Sequence, residues 1–180
     1  MSVTSPYVVP VSLLLKDVPS RRTIAFRAPF DAAHEFERRA DADSDVPPDS
    51  DVNVAIVLES HHGGLVATGQ VSAPWRALCR RCSTVISSEL TVEVSERFEC
   101  DPELQGDEAY LVKAGYVDLL PLVHDAILLE LPIAPLCRPD CQGLCPVCGT
   151  DRNEATCDCL VERDSRWATL DALRFENDES

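Results

Sequence analysis

Six of the nine cysteines in this 180-residue chain lie between Cys137 and Cys159, in the segment CRPDCQGLCPVCGTDRNEATCDC. So many thiols in one short segment constrain the fold, because clustered cysteines either cross-link a chain or hold a metal ion. A further pair, Cys79 and Cys82, lies far upstream, and Cys100 stands alone in an acidic stretch. Any account of the fold has to explain these thiols.

The N-terminal segment and the longest apolar run indicate the redox compartment. The first 22 residues contain only a short apolar run, interrupted by Pro10 and Ser12 and preceded by no basic residue, which does not fit a signal peptide. The best candidate for a membrane span, residues 117–135, carries acidic residues and a histidine. We therefore expect a cytoplasmic protein with reduced thiols. In that compartment metal ligands are favoured, and a disulfide scaffold or a redox dithiol are the alternatives.

The net charge narrows the classes of partner. Lys and Arg number 16 against 31 Asp and Glu, which gives a formal charge of −15 and a pI near 4.5. Direct, non-specific binding of nucleic acid is disfavoured, because it needs basic side chains to replace the counterions along the phosphates. Basic protein partners suit such a surface better.

Alternating and β-branched runs predict an antiparallel sheet. Gly63 and Gly64 separate two of these runs and supply the positive φ that a hairpin turn requires. Cys79 and Cys82 fall in the turn between two others. The predicted strands are residues 8–16, 21–28, 52–59, 65–71 and 85–98.

One main helix, residues 119–131, is predicted to pack on this sheet. Asp118 is its expected N-cap, and Pro121 falls in the first turn, where a missing N–H does no harm. Burial of its many apolar residues should stabilise the fold by on the order of 2 kcal/mol per large side chain. Short helices at 30–39 and 166–175 and an acidic loop at 40–51 complete an α+β fold.

Eight of the nine cysteines form four close pairs, and Zn²⁺ takes four thiolates at tetrahedral corners. The count therefore predicts two four-cysteine zinc sites, although the spacing alone leaves the pairing open. The four pairs are Cys79 with Cys82, Cys137 with Cys141, Cys145 with Cys148, and Cys157 with Cys159.

Local geometry favours one pairing. The segment from Cys145 to Gly149, CPVCG, has the form of a zinc knuckle, in which Pro sets the entry φ and Gly directs backbone N–H groups at sulfur. A short loop then returns the chain at Cys157 and Cys159, so these four cysteines should form a local site. Cys79 and Cys82 would then meet the pair that follows the main helix, Cys137 and Cys141, and fasten the helix end to the sheet.

Both predicted sites are saturated with thiolates, which favours a structural role over a catalytic one, because a catalytic zinc keeps a position open for water. The chain also lacks the usual phosphate-binding and hydrolase motifs. One small basic patch lies near the first site. Arg80, Arg81 and Arg138 are its members, and they are the best candidates for a contact with RNA or phosphate.

Four parts of the chain resemble the YceD family. They are the run VDLLPLVHDAILLELPIAPLCRPDCQGLCPVCGTDRN, the CDC that follows it, the later RDSRWATLDAL and the upstream Cys79–Cys82 pair. Members of that family are described as large ribosomal RNA subunit accumulation proteins. The resemblance implies a non-enzymatic role in the accumulation or processing of large-subunit rRNA. Where the family often shows Asn-Leu-Asn after the knuckle, this chain has Thr150, Asp151, Arg152 and Asn153.

These observations predict one integrated α+β domain: an antiparallel sheet with acidic loops and a packing helix over residues 1–136, and a Cys-rich zinc segment with a short helix over 137–180. The predicted function is that of a zinc-binding ribosome-biogenesis factor, whose partners are large-subunit rRNA, basic ribosomal proteins, or both. Two other classes stay open: a thiol redox or zinc-sensing protein, and a zinc-dependent enzyme.

Overall fold

The structure is a computed structural model that describes residues 5–30, 44–47, 50–101, 110–160 and 166. Eight strands and two helices follow one another in this part of the chain. In order they are β1 Val8–Pro10, α1 Ser12–Lys16, β2 Arg21–Pro29, β3 Ser44–Asp45, β4 Asp51–His61, β5 Gly64–Leu78, β6 Val85–Glu99, β7 Tyr110–Leu111, β8 Tyr116–Asp118 and α2 Leu120–Glu130.

Six of the strands form one sheet in the order β2-β4-β5-β6-β7, with β3 paired to β5 beyond the start of β4. All of its pairs are antiparallel except β6 with β7, a two-residue parallel pairing. Strands β1 and β8 form a separate antiparallel ribbon. The predicted class, a mostly antiparallel sheet with one main helix, is confirmed.

Strict alternation along the long strands buries one face of the sheet. In β4 every second residue from Val52 to Ser60 is buried, and β5 and β6 place Leu65 opposite Phe98 on the same face. The other face carries polar and charged side chains and is open to solvent. Such alternation is expected when a sheet is covered on one side only.

Two glycines shape the central strands. Gly63, at φ 108°, closes the β4–β5 hairpin, whose last pair is His61 with Gly64, so the predicted hairpin is confirmed. Gly69 lies within β5, where a Cβ atom would clash with the carbonyl oxygen of Ala55. Glycine is therefore needed at position 69 for β4 and β5 to pair at this separation.

Helix α2 covers the buried face of the sheet. Leu122, Val123 and Ile127 are fully buried against β5 and β6. The N-cap is Leu119 rather than the predicted Asp118, and the Asp118 carboxylate accepts a hydrogen bond at 3.0 Å from the N–H of Leu120, the first residue of the helix. Leu129 is 87% exposed, so the helix buries one stripe rather than its whole apolar surface.

The prediction of a single strand at residues 8–16 is wrong. Strand β1 ends at Pro10, because its partner β8 is only three residues long. Beyond that point the chain curls into the single turn of α1, in which the Leu15 N–H donates to the Val11 carbonyl at 3.0 Å. The predicted acidic loop at 40–51 also contains β3 and the start of β4. Apart from Phe30 and Arg166, the predicted helices at 30–39 and 166–175 lie outside the described residues.

The strands and helix bring the two ends of the cysteine sequence together. Strand β5 leads into the Cys79–Cys82 turn, and α2 ends shortly before Cys137. The Arg80 N–H donates to the Pro135 carbonyl at 3.0 Å, which joins the turn to the segment after the helix. None of the helices in the described part of the chain is both long and apolar enough to cross a membrane.

Candidate metal centres

The first group of cysteines lies where the β5–β6 turn meets the segment after α2. The Sγ atoms of Cys79 and Cys141 are 3.8 Å apart, and those of Cys82 and Cys137 are 3.6 Å apart. All four sulfurs lie within 4.8 Å of one another. Cys79, Cys82 and Cys141 are buried beside Ile86 and Leu136, and Cys137 is exposed. We call this group the first centre.

These distances fit a metal ion rather than a disulfide. A disulfide places two sulfurs about 2.05 Å apart, and all nine cysteines are free thiols here. A zinc ion about 2.3 Å from each of four thiolates at tetrahedral corners would place neighbouring sulfurs about 3.8 Å apart. The first centre therefore already has the spacing that a tetrahedral ion requires.

The second group, Cys145, Cys148, Cys157 and Cys159, also has its four sulfurs within 4.8 Å of one another. Cys145 is buried, Cys148 is exposed, and the other two are half-buried. We call this group the second centre. Both groups could hold a metal ion, and in the described part of the chain they are the only clusters of three or more ligating side chains at this spacing.

The two C-x-x-C turns share one backbone structure. In the first, the Cys79 N–H donates to the Thr84 carbonyl at 2.8 Å, and the Ser83 N–H donates to the Cys79 carbonyl at 2.9 Å. In the second, the Cys145 N–H donates to the Thr150 carbonyl at 2.8 Å, and the Gly149 N–H donates to the Cys145 carbonyl at 2.9 Å.

The side chains that follow the two turns also correspond. Ser83 and Gly149 both have positive φ, 59° and 74°. Thr84 Oγ1 lies 3.2 Å from Cys82 Sγ, and Thr150 Oγ1 lies 3.1 Å from Cys148 Sγ. The sequence alone predicts a knuckle only at the second turn. The threonine at the same offset from both pairs was the available signal for the first.

Asn153 connects the two centres, and sequence reasoning gave it no role. Its side-chain Nδ2 donates to Cys141 Sγ at 3.4 Å, so a residue on the loop of the second centre contacts a sulfur of the first. Its Oδ1 accepts from the Gln142 N–H and from Arg138, both at 2.8 Å. The Asp151 carboxylate accepts from the Asn153 N–H at 2.9 Å and thereby orients the asparagine.

Backbone N–H groups and hydroxyls make some of these thiols acidic. Burial disfavours the Cys79 thiolate, but backbone N–H groups directed at its sulfur, that of Cys137 foremost, lower its pKa to about 6. The Thr150 hydroxyl and N–H lower the pKa of Cys148 to about 6. Hydrogen bonds to an ionised group favour its charged form. Each centre therefore offers thiolate to a cation near neutral pH.

One thiol of each group resists ionisation. Although the Cys137 residue is exposed, desolvation of its sulfur and hydrogen bonding with the neighbouring thiols raise its pKa to about 12. Hydrogen bonding with Cys148, together with burial, raises the pKa of Cys159 to about 12. Four thiolates repel one another unless a cation lies among them. A divalent ion would supply that charge and release the remaining protons.

The family comparison covers both centres. Residues 67–174 match the family described as large ribosomal RNA subunit accumulation protein YceD. The chain belongs to the YceD family. The matched region begins in β5 and includes all eight clustered cysteines. The family's description names an accumulation protein rather than an enzyme, and it refers to the RNA of the large ribosomal subunit.

Two mycobacterial proteins are similar to this chain. The chain is 36% identical to an uncharacterized protein of Mycobacterium tuberculosis over 118 residues, which are 63% of this chain and 57% of that protein. It is 34% identical to one of Mycobacterium leprae over 104 residues, 55% of this chain and 48% of that protein.

A plant relative carries a functional name. The large ribosomal RNA subunit accumulation protein YCED homolog 1, chloroplastic, of Arabidopsis thaliana is 34% identical over 59 residues, 32% of this chain and 18% of that protein. The chain thus spans less than two thirds of each of these relatives. No solved structure matches it.

The three arginines expected near the first centre of this YceD protein do lie there. Arg81 donates to the Cys141 carbonyl at 2.9 Å, and Arg138 pairs with Asp140 at 3.3 Å besides bonding Asn153. Arg80 belongs to the first knuckle itself. Arg81 and Arg138 therefore support the cysteine segment, and a contact of any of the three with RNA stays a prediction.

Other side chains of a kind that can bind metals lie apart from these centres. His61 and His62 are at the β4–β5 turn, where the His61 ring contacts the His62 carbonyl at 3.1 Å. Cys100 is exposed at the end of β6 and belongs to neither group of four.

Proposed function

We propose that this chain is a zinc-binding factor in the accumulation or processing of large-subunit rRNA, acting in ribosome biogenesis by binding rather than by catalysis. The observation that supports this most is the presence of two complete four-cysteine groups inside the region that matches the YceD family. One group joins the sheet to the segment after the helix, so metal binding would be part of folding the family's shared region.

Zinc is the ion that best fits the donors. All eight candidate ligands are thiolates, which select zinc over magnesium, calcium or manganese. The proposed ligands are Cys79, Cys82, Cys137 and Cys141 at the first centre, with Cys145, Cys148, Cys157 and Cys159 at the second. Knuckle turns with N–H groups directed at sulfur are typical of structural zinc sites.

A non-enzymatic role follows from the number of ligands. Four thiolates complete the coordination of each ion and leave no position for a water or a substrate. A thioredoxin-like redox role needs a C-x-x-C that opens a helix, whereas Cys79 lies between β5 and β6 and faces three other sulfurs. We therefore favour a structural role for both ions.

The partner proposal rests on charge. The formal charge of −15 becomes more negative when eight thiolates bind two divalent ions, so basic ribosomal proteins are suitable partners. A direct contact with rRNA would use Arg80, Arg81 and Arg138. A guanidinium has five N–H donors, so Arg81 and Arg138 retain donors for a phosphate beyond their bonds within the protein.

We further propose that residues 1–136 and 137–180 form one integrated domain, because the first centre takes two ligands from each part. The cytoplasm is the compartment that we propose, since its reducing conditions keep eight clustered thiols available to zinc.

The test is depletion of the protein, with the ratio of large-subunit to small-subunit rRNA as the readout. We expect the ratio to fall, and expression of the original chain to restore it. A Cys79→Ser/Cys82→Ser variant should fail to restore it, while a Cys100→Ser variant, which leaves both centres intact, should succeed. An unchanged ratio on depletion would contradict the proposed function.

A pull-down at moderate salt then identifies the partner. Recovery of large-subunit proteins after nuclease treatment would support a protein contact, and recovery of rRNA that is lost on replacing Arg80, Arg81 and Arg138 would support an RNA contact. Recovery of neither class would contradict the partner proposal.

A further inference from the structure

We infer that the two metal centres are energetically coupled, and that Asn153 is the positioning residue that couples them. This inference rests on the proposed binding of zinc at both centres. Under it, an ion at the second centre raises the affinity of the first centre for its own ion. Asn153 would act through the sulfur of Cys141 and is not itself a ligand.

The contact between the centres is direct. The Asn153 Nδ2 group donates to Cys141 Sγ at 3.4 Å. Its Oδ1 accepts from the backbone of Gln142 at 2.8 Å, the residue next to that ligand. One side chain thus holds both the sulfur and the backbone beside it.

The position of Asn153 depends on the second centre. It lies in the loop between Cys148 and Cys157, whose ends are held together when the second centre binds an ion. Closing a loop removes conformational freedom from the residues inside it. The second ion would therefore place the Asn153 amide against Cys141 in advance, and the first centre would not bear that ordering cost when it binds.

Backbone contacts keep the two segments in register. The Leu144 N–H donates to the Arg81 carbonyl at 3.0 Å, which attaches the start of the second knuckle to the first. The Arg152 N–H donates to the Gly143 carbonyl at 2.9 Å, and Leu144 forms a β-bridge with Asp151. The loop that carries Asn153 is therefore laid along the chain that carries Cys141.

The expected effect of Asn153 on zinc affinity can be judged from other metal sites. Removing a residue that hydrogen-bonds a ligand lowers metal affinity by about 10- to 100-fold. We expect Asn153→Ala to weaken the first centre by about 10-fold, with the second centre nearly unchanged when measured alone. Coupling between two binding sites is reciprocal. An ion at the first centre should therefore raise the zinc affinity of the second centre by the same factor by which an ion at the second raises that of the first.

The experiment uses the full chain and a double-mutant cycle. The variants are Asn153→Ala, Cys157→Ser/Cys159→Ser and the combination, with Glu154→Ala as the matched control. Glu154 is an exposed neighbour in the same loop, and its N–H bonds the Asp151 carbonyl irrespective of side chain. Zn²⁺ is titrated against a competing chelator, and alkylation followed by peptide mass spectrometry reports which cysteines are protected.

Coupling predicts a non-additive result. Loss of the second centre should weaken the first by about 10-fold in the original chain and by much less in the Asn153→Ala background. With Co²⁺ in place of zinc, the sulfur-to-metal absorption of the first centre should shift in Asn153→Ala but not in Glu154→Ala. Asn153→Asp, which keeps the acceptors and loses the N–H to sulfur, should behave like Asn153→Ala in that spectrum.

The outcomes separate this inference from the proposed function. If the chain bound two ions and the effects of the variants on affinity were fully additive, the coupling would be overturned, but the proposal of zinc binding would stand. Chains that bind no zinc would overturn the proposed zinc protein itself. An Asn153→Ala effect on stability with no effect on the first centre's affinity or spectrum would show that Asn153 only supports the fold, and would also overturn the coupling.

Discussion

The Sγ atoms of Cys82 and Cys137 lie 3.6 Å apart, although 55 positions separate the two residues along the chain. Between them run the whole of β6, β7, β8 and α2. A metal ion at the first centre would therefore hold the end of the helix segment on the sheet, whereas one at the second centre would close only a local loop. The two centres should differ in what their loss costs the fold.

Cys79→Ser should destabilise the protein far more than Cys157→Ser. The first removes a buried ligand from the long-range centre, and we expect a loss of at least about 4 kcal/mol. The second affects a half-buried ligand of the local centre, and we expect less than about 2 kcal/mol. Denaturant unfolding of both variants in the presence of zinc gives the two values, with Cys100→Ser as the control. Equal losses would show that the proposed pairing of the cysteines is wrong.

The protein purified without added metal should contain two zinc ions per chain. The ion at the second centre should leave before the ion at the first centre. Cys148 is exposed, whereas three of the four cysteines at the first centre are buried, so a chelator reaches the second centre more easily. Elemental analysis during slow chelation should show two steps, with Cys145–Cys159 peptides becoming alkylated before the Cys79–Cys82 peptide. A single zinc ion, or the opposite order, would contradict this account.

Thr150→Val should weaken the second centre, and Thr84→Val the first, each by roughly 10-fold. In the metal-free chain, loss of the Thr150 hydroxyl should also raise the pKa of Cys148 from about 6 toward its ordinary value. Protons then compete for that sulfur at higher pH, so the second centre should release zinc at a higher pH during acid titration. Zinc release followed with a chromogenic chelator measures this. If Thr150→Val weakened the first centre and Thr84→Val weakened the second, the assignment of the two knuckles to these centres would be wrong.

Tyr7 should make the fold sensitive to alkaline pH. Burial, assisted by the charge of Asp51, raises the pKa of Tyr7 to about 12, and its hydroxyl donates to the Pro29 carbonyl at 3.0 Å. A folded-state pKa above the unfolded one gives a contribution that is complete below about pH 10 and is lost as the pH rises toward 12. Tyr7→Phe should cost about 1 kcal/mol at neutral pH and make the alkaline loss less steep.

The control for that experiment is Tyr116→Phe, since the Tyr116 side chain is half exposed. The free energy of unfolding measured between pH 8 and 12 should keep the original slope in this variant. An unchanged slope in Tyr7→Phe as well would show that the Tyr7 phenol does not drive the alkaline loss.

The long strands and the main helix could be predicted because their signals are local. Alternation in β4 and β6, the glycines of the hairpin, and the apolar run ending at the prolines all act over a few residues. The grouping of the cysteines also followed from local logic: once the knuckle at Cys145 was closed by the nearest downstream pair, the other four were left to meet.

The short elements and the link between the centres could not be predicted in this way. Strands β3, β7 and β8 are two or three residues long and exist only because a partner strand lies beside them. The contact of Asn153 with Cys141 depends on two loops meeting in space. The Asp151 carboxylate accepts from both the N–H and the side-chain amide of Asn153 and so orients it.

The order in which a ribosome makes this chain adds a constraint on the first centre. Its first two ligands, Cys79 and Cys82, emerge long before Cys137 and Cys141, and at about 5–20 residues per second the gap lasts for several seconds. During that interval two thiolates are exposed to oxidants and to partial metal binding. The second centre, whose four ligands emerge together, has no such wait. The long-range centre thus has the longer interval between its first and last ligands, and it cannot join the sheet to the segment after the helix before Cys141 has been synthesised.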